Sequence, residues 1–310
     1  MGVEVTLLSL GQGSGCGDGC DGDCGGQADP TGGVRVPVLA CRDALRAGGA
    51  DVRIVEANSD REIDEALDAT VLRDGPSPES RLVVVGDGDG EARAVVRRLL
   101  RRLAPPPSKR PADLPTGRTV PDLPPIGLLI LDPGTDGLVA RLDLPRSPAD
   151  VAAAVLAGRY ARFDLLRTDS GSVTLHGSLL GGADSDGRPV TWRGIVNVDD
   201  TVLTDGSDPL LACTVVNAPG PGYAELDGLP LVPHPDPADG EVDVAVAVLS
   251  YVGRRWLGNR RARIEVRRAR GRAVAVTPSE DVPYTDDAVT GTLTRKRTWW
   301  TEPAAWAAYR

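Results

Sequence analysis

The stretch RLVVVGDGDGEARAVVRRLLRRL, residues 81–103, decides the fold class of this chain. Residues 81–85 predict a strand, because a continuous apolar run is typical of a parallel strand buried on both faces. Residues 91–103 predict a helix, because Val95, Leu99 and Leu103 recur on one helical stripe. The loop GDGDG joins the two segments. A strand, a glycine-rich loop and a helix in this order indicate one unit of a parallel α/β sheet.

The same alternation continues on both sides of this stretch. Strands are predicted at 3–10, 51–57 and 126–131, and helices at 36–47, 59–69 and 148–158. Ser59 and Glu62 have the spacing of a capping box, which marks the start of the second helix. We therefore predict a Rossmann-like parallel sheet over residues 1–145, with ligands at the carboxyl ends of its strands.

The pattern changes after residue 160, where strand-like segments dominate. They include VTWRGIVNVDD (190–200), EVDVAVAVLSYV (241–252) and ARIEVRRARGRAVAV (262–276). The last of these predicts a hairpin that turns about Arg270–Gly271. We therefore predict a second, mainly antiparallel β domain over residues 146–310, so that the fold class is α/β plus β.

Composition excludes several classes of protein. A net charge of −9 argues against general nucleic-acid binding, which needs a basic surface. The sequence contains neither a membrane-span-length apolar run nor a signal peptide, so the expected location is the cytoplasm. The segment 254–272 carries nine arginines. Two interpretations stay open for it: a solvated hairpin face, or peripheral contact with anionic lipid headgroups. A homodimer also stays open.

The loop at 86–90 has the layout of an anion site. Glycines let the backbone approach a phosphate closely, and the following helix offers free N–H groups and a partial positive charge. A second loop, DPGTDG at 132–137, follows the strand at 126–131 in the same way. Two such loops predict a nucleotide in the crevice between them. Asp87, Asp89 and Glu91 would repel a bare phosphate, so Asp87 is also a candidate Mg²⁺ ligand.

A third candidate lies in the glycine-rich segment GCGDGCDGDCGG, residues 15–26. Cys16, Cys20 and Cys24 are spaced so that soft thiolate ligands could bind a metal ion or a cluster. Their spacing differs from the common zinc patterns. The alternative is a loop of exposed thiols without a ligand.

Several of these motifs resemble the diacylglycerol kinase catalytic-domain family. VGDGD (85–89) is similar to its G-G-D-G-T motif, and DPGTDGLVAR (132–141) to its P-x-G-T-x-N-D-x-A-R motif. Asp164–Leu165, Asn217 and the stretch DGEVDV (239–244) follow in the family's order. The family's late D-G-E motif corresponds to YTDDAV (284–289), which keeps an aspartate but lacks the glycine and the glutamate.

The resemblance implies a lipid kinase that uses ATP and Mg²⁺ to phosphorylate a lipid hydroxyl. It implies that the C-terminal domain is β-sandwich-like and binds lipid, and that the last segment, about 291–310, packs back on the first domain. The nucleotide would be held by a set of loop residues: Gly86, Asp87, Gly88, Gly134 and Thr135. Asp287, or its neighbour Asp286, would be the base. Because several motifs are altered, a non-catalytic, kinase-like binding or regulatory protein is the alternative.

Overall fold

The computed structural model describes residues 2–11, 35–73, 80–131, 137–183, 188–220, 222–226, 228–252 and 261–310. The chain forms two compact units. Unit 1 consists of Met1–Phe163 and Ala304–Arg310, and unit 2 consists of Asp164–Pro303. Within the described residues, no helix has the length and apolar character needed to cross a membrane.

Unit 1 is built on parallel strands that alternate with helices. In chain order its elements are β1 (Glu4–Leu10), α1 (Val36–Ala47), β2 (Asp51–Ala57), α2 (Asp60–Asp68), β3 (Ser80–Gly86), α3 (Asp89–Leu103), β4 (Ile126–Ile130), α4 (Leu138–Arg141) and α5 (Pro148–Ala157). The strands pair in the order β4-β3-β1-β2, and each of these pairs is parallel. The predicted parallel α/β arrangement is therefore confirmed.

The core of unit 1 forms because the strands carry apolar side chains on both faces. Val83 and Val85 of β3 are buried against α1 and α5. A Cβ on Gly127 in β4 would lie 3.0 Å from Val155 of α5, so the glycine permits this helix to pack closely. Residues 146–163, predicted to open the second domain, belong to unit 1 because α5 packs on this sheet.

Two arginines of α3 are largely buried against α2. Arg97 in α3 donates to Asp60 of α2 at 2.9 Å, and its side chain is only 7% exposed. Arg98 donates to Asp64 and, at 3.1 Å, to Asp60. The arginines therefore attach α3 to α2 through partly buried ion pairs.

Unit 2 is built from short and long strands. In chain order the strands that follow α5 are β5 (Tyr160–Thr168), β6 (Val173–Thr174), β7 (Gly177–Leu180), β8 (Gly182–Ala183), β9 (Pro189–Val190), β10 (Gly194–Val198), β11 (Thr201–Asp205), β12 (Leu210–Val216), β13 (Glu225–Leu226), β14 (Leu229–Pro230), β15 (Val242–Val252), β16 (Arg261–Gly271), β17 (Ala273–Pro278), β18 (Val282–Asp286), β19 (Val289–Leu293) and β20 (Arg297–Tyr309). The chain divides between the units within β5 and within β20.

The core of unit 2 lies between two sets of antiparallel strands. One has the order β11-β10-β17-β20, and the other has the order β16-β15-β12-β7-β18-β19. Buried side chains from both meet in one cluster, including Val196, Val215, Val246 and Trp299. In unit 1, residues 304–310 of β20 reach β4, where Ala308 pairs in parallel with Ile126.

The hairpin predicted about Arg270–Gly271 is wrong. β16 pairs with β15, whereas β17 pairs with β10 and β20 in the other sheet. The chain passes from one sheet to the other at Gly271, where a Cβ would lie 2.4 Å from the carboxylate of Asp199. Asp199 instead accepts the backbone N–H groups of Arg272 and Ala273. This corner depends on a residue about 70 positions away, so local periodicity could not predict it.

Candidate functional site

The first candidate site lies where β3 turns into α3. Gly86 ends β3, and its carbonyl accepts the N–H of Leu131, at 2.9 Å, from the end of the neighbouring strand β4. A Cβ at Gly86 would lie 2.5 Å from the Cβ of Glu91, so only glycine fits this turn. The carboxyl ends of two adjacent parallel strands therefore meet here, which is the edge where ligands bind in open α/β sheets.

Asp89 joins the starts of α3 and α4. It is the first residue of α3, and its carboxylate oxygens lie 2.9 and 3.0 Å from the backbone nitrogen of Leu138, the first residue of α4. A Cβ on Gly137 would lie 2.7 Å from Oδ1 of Asp89. The starts of α3 and α4 are thus side by side, and a carboxylate bridges them.

The other two acidic side chains of this loop also have partners. The carboxylate of Glu91 accepts the backbone N–H of Gly88, the N-cap of α3, at 3.1 Å. Burial raises the pKa of Glu91, and the nearby Asp87 and Asp89 raise it further. Asp87 forms an ion pair with Arg35, just before α1. The loop therefore supplies its own anions to N–H groups that a phosphate would otherwise use.

Magnesium ligation can be tested against this geometry. Carboxylate oxygens are the right donor type for Mg²⁺. However, Asp87 is engaged by a guanidinium, and the carboxylates of Asp89 and Glu91 face backbone N–H groups. In the part of the chain that the structure describes, no group of three or more His, Cys, Asp or Glu side chains is arranged to hold a metal ion. The described residues therefore do not fit a resident Mg²⁺, and the role predicted for Asp87 stays a prediction.

Some predicted site residues lie outside the described residues. They are Gly134 and Thr135 of the second loop, and Cys16, Cys20 and Cys24 of the glycine-rich segment.

The second candidate site is a buried polar network in unit 2, centred on Asp287. Its carboxylate accepts three backbone N–H groups, from Leu175 at 2.7 Å, His176 at 2.8 Å and Gly177 at 3.2 Å. The Asp287 side chain is fully buried. Its backbone N–H donates in return to the carbonyl of Gly177 at 3.1 Å. This carboxylate holds the segment 175–177 in place.

Asp286 and Ala288 complete the same turn. Thr174 donates its hydroxyl to Asp286 at 2.7 Å in a buried contact. Asp287 and Ala288 form the two-residue loop between β18 and β19, with φ angles of 46° and 64°. The N–H of Ala288 donates to the hydroxyl of Tyr223 at 2.8 Å. Neither Asp286 nor Asp287 is exposed, so the catalytic role predicted for them stays a prediction.

Other motif residues converge on the same segment. The side-chain amide of Asn217 donates to the carbonyls of Asp164 at 3.0 Å and Leu175 at 2.8 Å. The carboxylate of Asp164 accepts the N–H of Gly240 at 2.6 Å. Residues from four separate sequence motifs therefore form one connected buried network.

Two features of these candidate sites have no signal in the sequence. The capping of α4 by Asp89 has no local signal, because the partner Leu138 is 49 positions away. The segment Thr174–Gly177, which receives both Asp286 and Asp287, matches no motif. Thr174 and the preceding Val173 are buried and β-branched, and together they indicated only a strand.

Comparisons with known proteins define the fold further. By sequence, the chain matches no protein-family model and no curated protein. By structure, it is similar to a diacylglycerol kinase from Bacillus anthracis str. Sterne, with a TM-score of 0.61 and 14% identity, covering 98% of this chain and 96% of that one. Two further structures from the same strain, of candidate diacylglycerol kinases, have TM-scores of 0.63 at 13% and 12% identity with the same coverage. The chain therefore has the fold of these diacylglycerol kinase-like proteins, which confirms at the level of the fold the resemblance seen in its motifs.

Proposed function

We propose that this chain is a lipid-kinase-like protein that takes ATP at the edge formed by the β3–α3 and β4–α4 turns, and transfers phosphoryl to a lipid hydroxyl. The observation that carries the proposal is that β3 and β4 are adjacent parallel strands, and that α3 and α4, which follow them, start side by side at their carboxyl ends. The likeness in fold to diacylglycerol kinases supports a nucleotide and a lipid as the substrates.

In this proposal the glycines of the first loop let the phosphates lie close to the backbone. Gly88 precedes α3 in an extended conformation, and nothing lies within 4 Å of a Cβ built on it. This open space is suited to a phosphate at the start of the helix. Gly86 holds the turn, and Gly134 and Thr135 would contact the nucleotide from the second loop. Because the described residues form no metal site, Mg²⁺ would enter with the nucleotide as Mg-ATP.

A specific observation favours a second candidate, a kinase-like binding or regulatory protein without transfer activity. The carboxylates of Asp89 and Glu91 already accept hydrogen bonds from backbone N–H groups at this edge, and their negative charge repels a triphosphate. In unit 2, the carboxylate of Asp287 is buried and already accepts three hydrogen bonds. A base must reach the proton that it removes, so this carboxylate would have to be released first.

Titration calorimetry with Mg-ATP, together with transfer of labelled phosphoryl to diacylglycerol in detergent micelles, tests the proposal. An enzyme should bind Mg-ATP with a Kd between about 1 μM and 1 mM. Gly88→Ala should fold as the wild type does, because the added methyl has space, but should weaken Mg-ATP binding at least about tenfold by crowding the phosphate. Ser108→Ala, at an exposed position after α3, is the control.

The outcomes separate the two candidates. Binding with transfer, both reduced by Gly88→Ala, supports the kinase. Binding without transfer to any lipid hydroxyl supports the binding protein. The absence of heat at millimolar Mg-ATP overturns nucleotide binding at this edge.

A further inference from the structure

A cavity lies in unit 1 at the opposite end of the parallel strands from the candidate nucleotide edge. It has a volume of about 280 Å³ and is lined by the start of β3, the segment 122–125 before β4, the start of β5 and the end of β20. Arg81 lines it at the start of β3, whereas Gly86 ends that strand. Gly86 is five residues after Arg81 along the strand, which places the two about 17 Å apart. The cavity is therefore distinct from the nucleotide site.

The cavity carries an excess of positive charge. Arg162 forms an ion pair with Asp122 at 2.8 Å, and Arg118 pairs with the same carboxylate. Two guanidinium groups thus share one carboxylate. Arg81 adds a second guanidinium to the lining, which therefore contains two arginines and one aspartate. Guanidinium groups bind carboxylates and phosphates through paired N–H groups, so this lining favours an anionic ligand.

Aromatic rings and prolines form the apolar part of the cavity. The guanidinium of Arg162 lies 5.5 Å from the ring centre of Tyr160, which is half exposed at the rim. The guanidinium of Arg81 lies 6.0 Å from the ring centre of Tyr309. Pro124 and Pro125 add rigid apolar surface. Stacked arginines have fewer orientations, so they present their N–H groups in fixed directions.

The backbone around the cavity is held in place before any ligand arrives. Arg81 donates to the carbonyl of Leu156 at 2.9 Å, at the C-terminus of α5. Gly158 follows α5 with a φ of 68°, and a Cβ there would lie 2.9 Å from Nη2 of Arg81. The N–H of Leu123 donates to the carbonyl of Ala305 at 2.9 Å, which attaches the segment before β4 to β20. The cavity is thus preformed, as small-molecule sites generally are.

We propose that this cavity binds a small organic anion that has a flat, apolar part and one carboxylate or phosphate group. The anionic group lies against Arg162 and Arg81, and the flat part lies between Tyr160 and the two prolines. This ligand is different from the nucleotide at the carboxyl edge, so the cavity is a second ligand-binding site.

Titration calorimetry of the full chain with phenyl phosphate and with phenylacetate tests this assignment and distinguishes the two anionic groups. Two further compounds serve as controls: inorganic phosphate has the anionic group alone, and benzyl alcohol has the flat apolar part alone. We expect millimolar or tighter binding of at least one aromatic anion, and binding at least about tenfold weaker for either half alone.

Variants locate the site. Arg162→Gln and Tyr160→Ala should each weaken binding about tenfold or more, whereas Arg162→Lys should retain part of it. Arg159→Gln, an exposed neighbour that does not line the cavity, should bind within about twofold of the wild type. If neither aromatic anion binds at a concentration of about 10 mM, the proposal is overturned. Equal losses in Arg159→Gln and Arg162→Gln also overturn it, because they would show general charge attraction.

Discussion

The carboxylate of Asp89 accepts the backbone N–H of Leu138, with its two oxygens 2.9 and 3.0 Å from the nitrogen. This contact ties the start of α3 to the start of α4 across the carboxyl edge of the sheet. The donor is one that a bound phosphate at this edge would use. The aspartate therefore competes with the nucleotide that we propose for this site.

Replacing Asp89 with threonine should strengthen nucleotide binding. Asp89→Thr removes a negative charge and releases the N–H of Leu138, so we expect the Kd for Mg-ATP to fall about tenfold. The lost cap should lower the free energy of unfolding by about 1 kcal/mol. Titration calorimetry and urea unfolding measure the two effects. Asp113→Thr, at an exposed position, is the control, and an unchanged or higher Kd in Asp89→Thr would contradict the competition.

The buried carboxylate of Asp287 should matter for stability whether or not it acts in catalysis. Asp287→Asn keeps the size and tolerates the positive φ, but turns an amide towards three backbone donors. We expect a loss of about 3 kcal/mol in the free energy of unfolding, measured by urea unfolding. Asp281→Asn, at an exposed position nearby, should change it by less than about 0.5 kcal/mol. A stable Asp287→Asn protein would show that the network is not structural.

The turn at Asp287–Ala288 carries strain that a glycine would relieve. Ala288 has a φ of 64°, its side chain is exposed, and it occupies the second position of a two-residue hairpin loop that favours glycine. Ala288→Gly should therefore raise the free energy of unfolding by about 1 kcal/mol, because it removes the cost of the left-handed conformation. Thermal unfolding measures this, with Ala153→Gly in the exposed face of α5 as a control that should destabilise. A lower melting temperature in Ala288→Gly would argue against strain.

The sequence predicts the helices and strands of unit 1 well because their signals are local. The observed α1 (Val36–Ala47) has the predicted bounds, and Ser59 accepts the N–H of Glu62 as the capping box requires. These features need only apolar periodicity and turn residues.

The sequence does not predict the contacts that decide how the candidate sites work. Asp287 accepts a hydrogen bond from Leu175, which is 112 positions away in the sequence, and Asp89 accepts one from Leu138, which is 49 positions away. Such contacts depend on which strands become neighbours, and periodicity carries no information about this. The false hairpin at Arg270–Gly271 has the same origin, because two alternating segments can pair with each other or with other strands.

Asp243 should make stability depend on pH. Burial raises its pKa from 3.8 to about 6; Asp239 and Glu241 raise it as well, and Arg270 opposes them. Between about pH 4 and 6 the folded chain therefore binds more protons here than the unfolded chain does, so this contribution to stability falls as the pH rises. The loss is at most about 3 kcal/mol.

Urea unfolding of wild type and Asp243→Asn at pH 4.5 and 7.5 isolates this contribution. The variant should lose less stability than the wild type between these values, because asparagine does not ionise. The difference between the two proteins cancels the other titrating groups. Asp281→Asn, at an exposed position, should follow the wild type. A wild type and a variant with identical pH dependence would show that Asp243 ionises as it does in the unfolded chain.

Amide hydrogen exchange with and without saturating Mg-ATP reports where on the chain the nucleotide lies, so it tests nucleotide binding at this edge. We expect slower exchange at residues 86–91 and 137–138, at the carboxyl ends of β3 and β4, with no change at the start of β3. Unchanged exchange at both turns in the presence of millimolar Mg-ATP would contradict it.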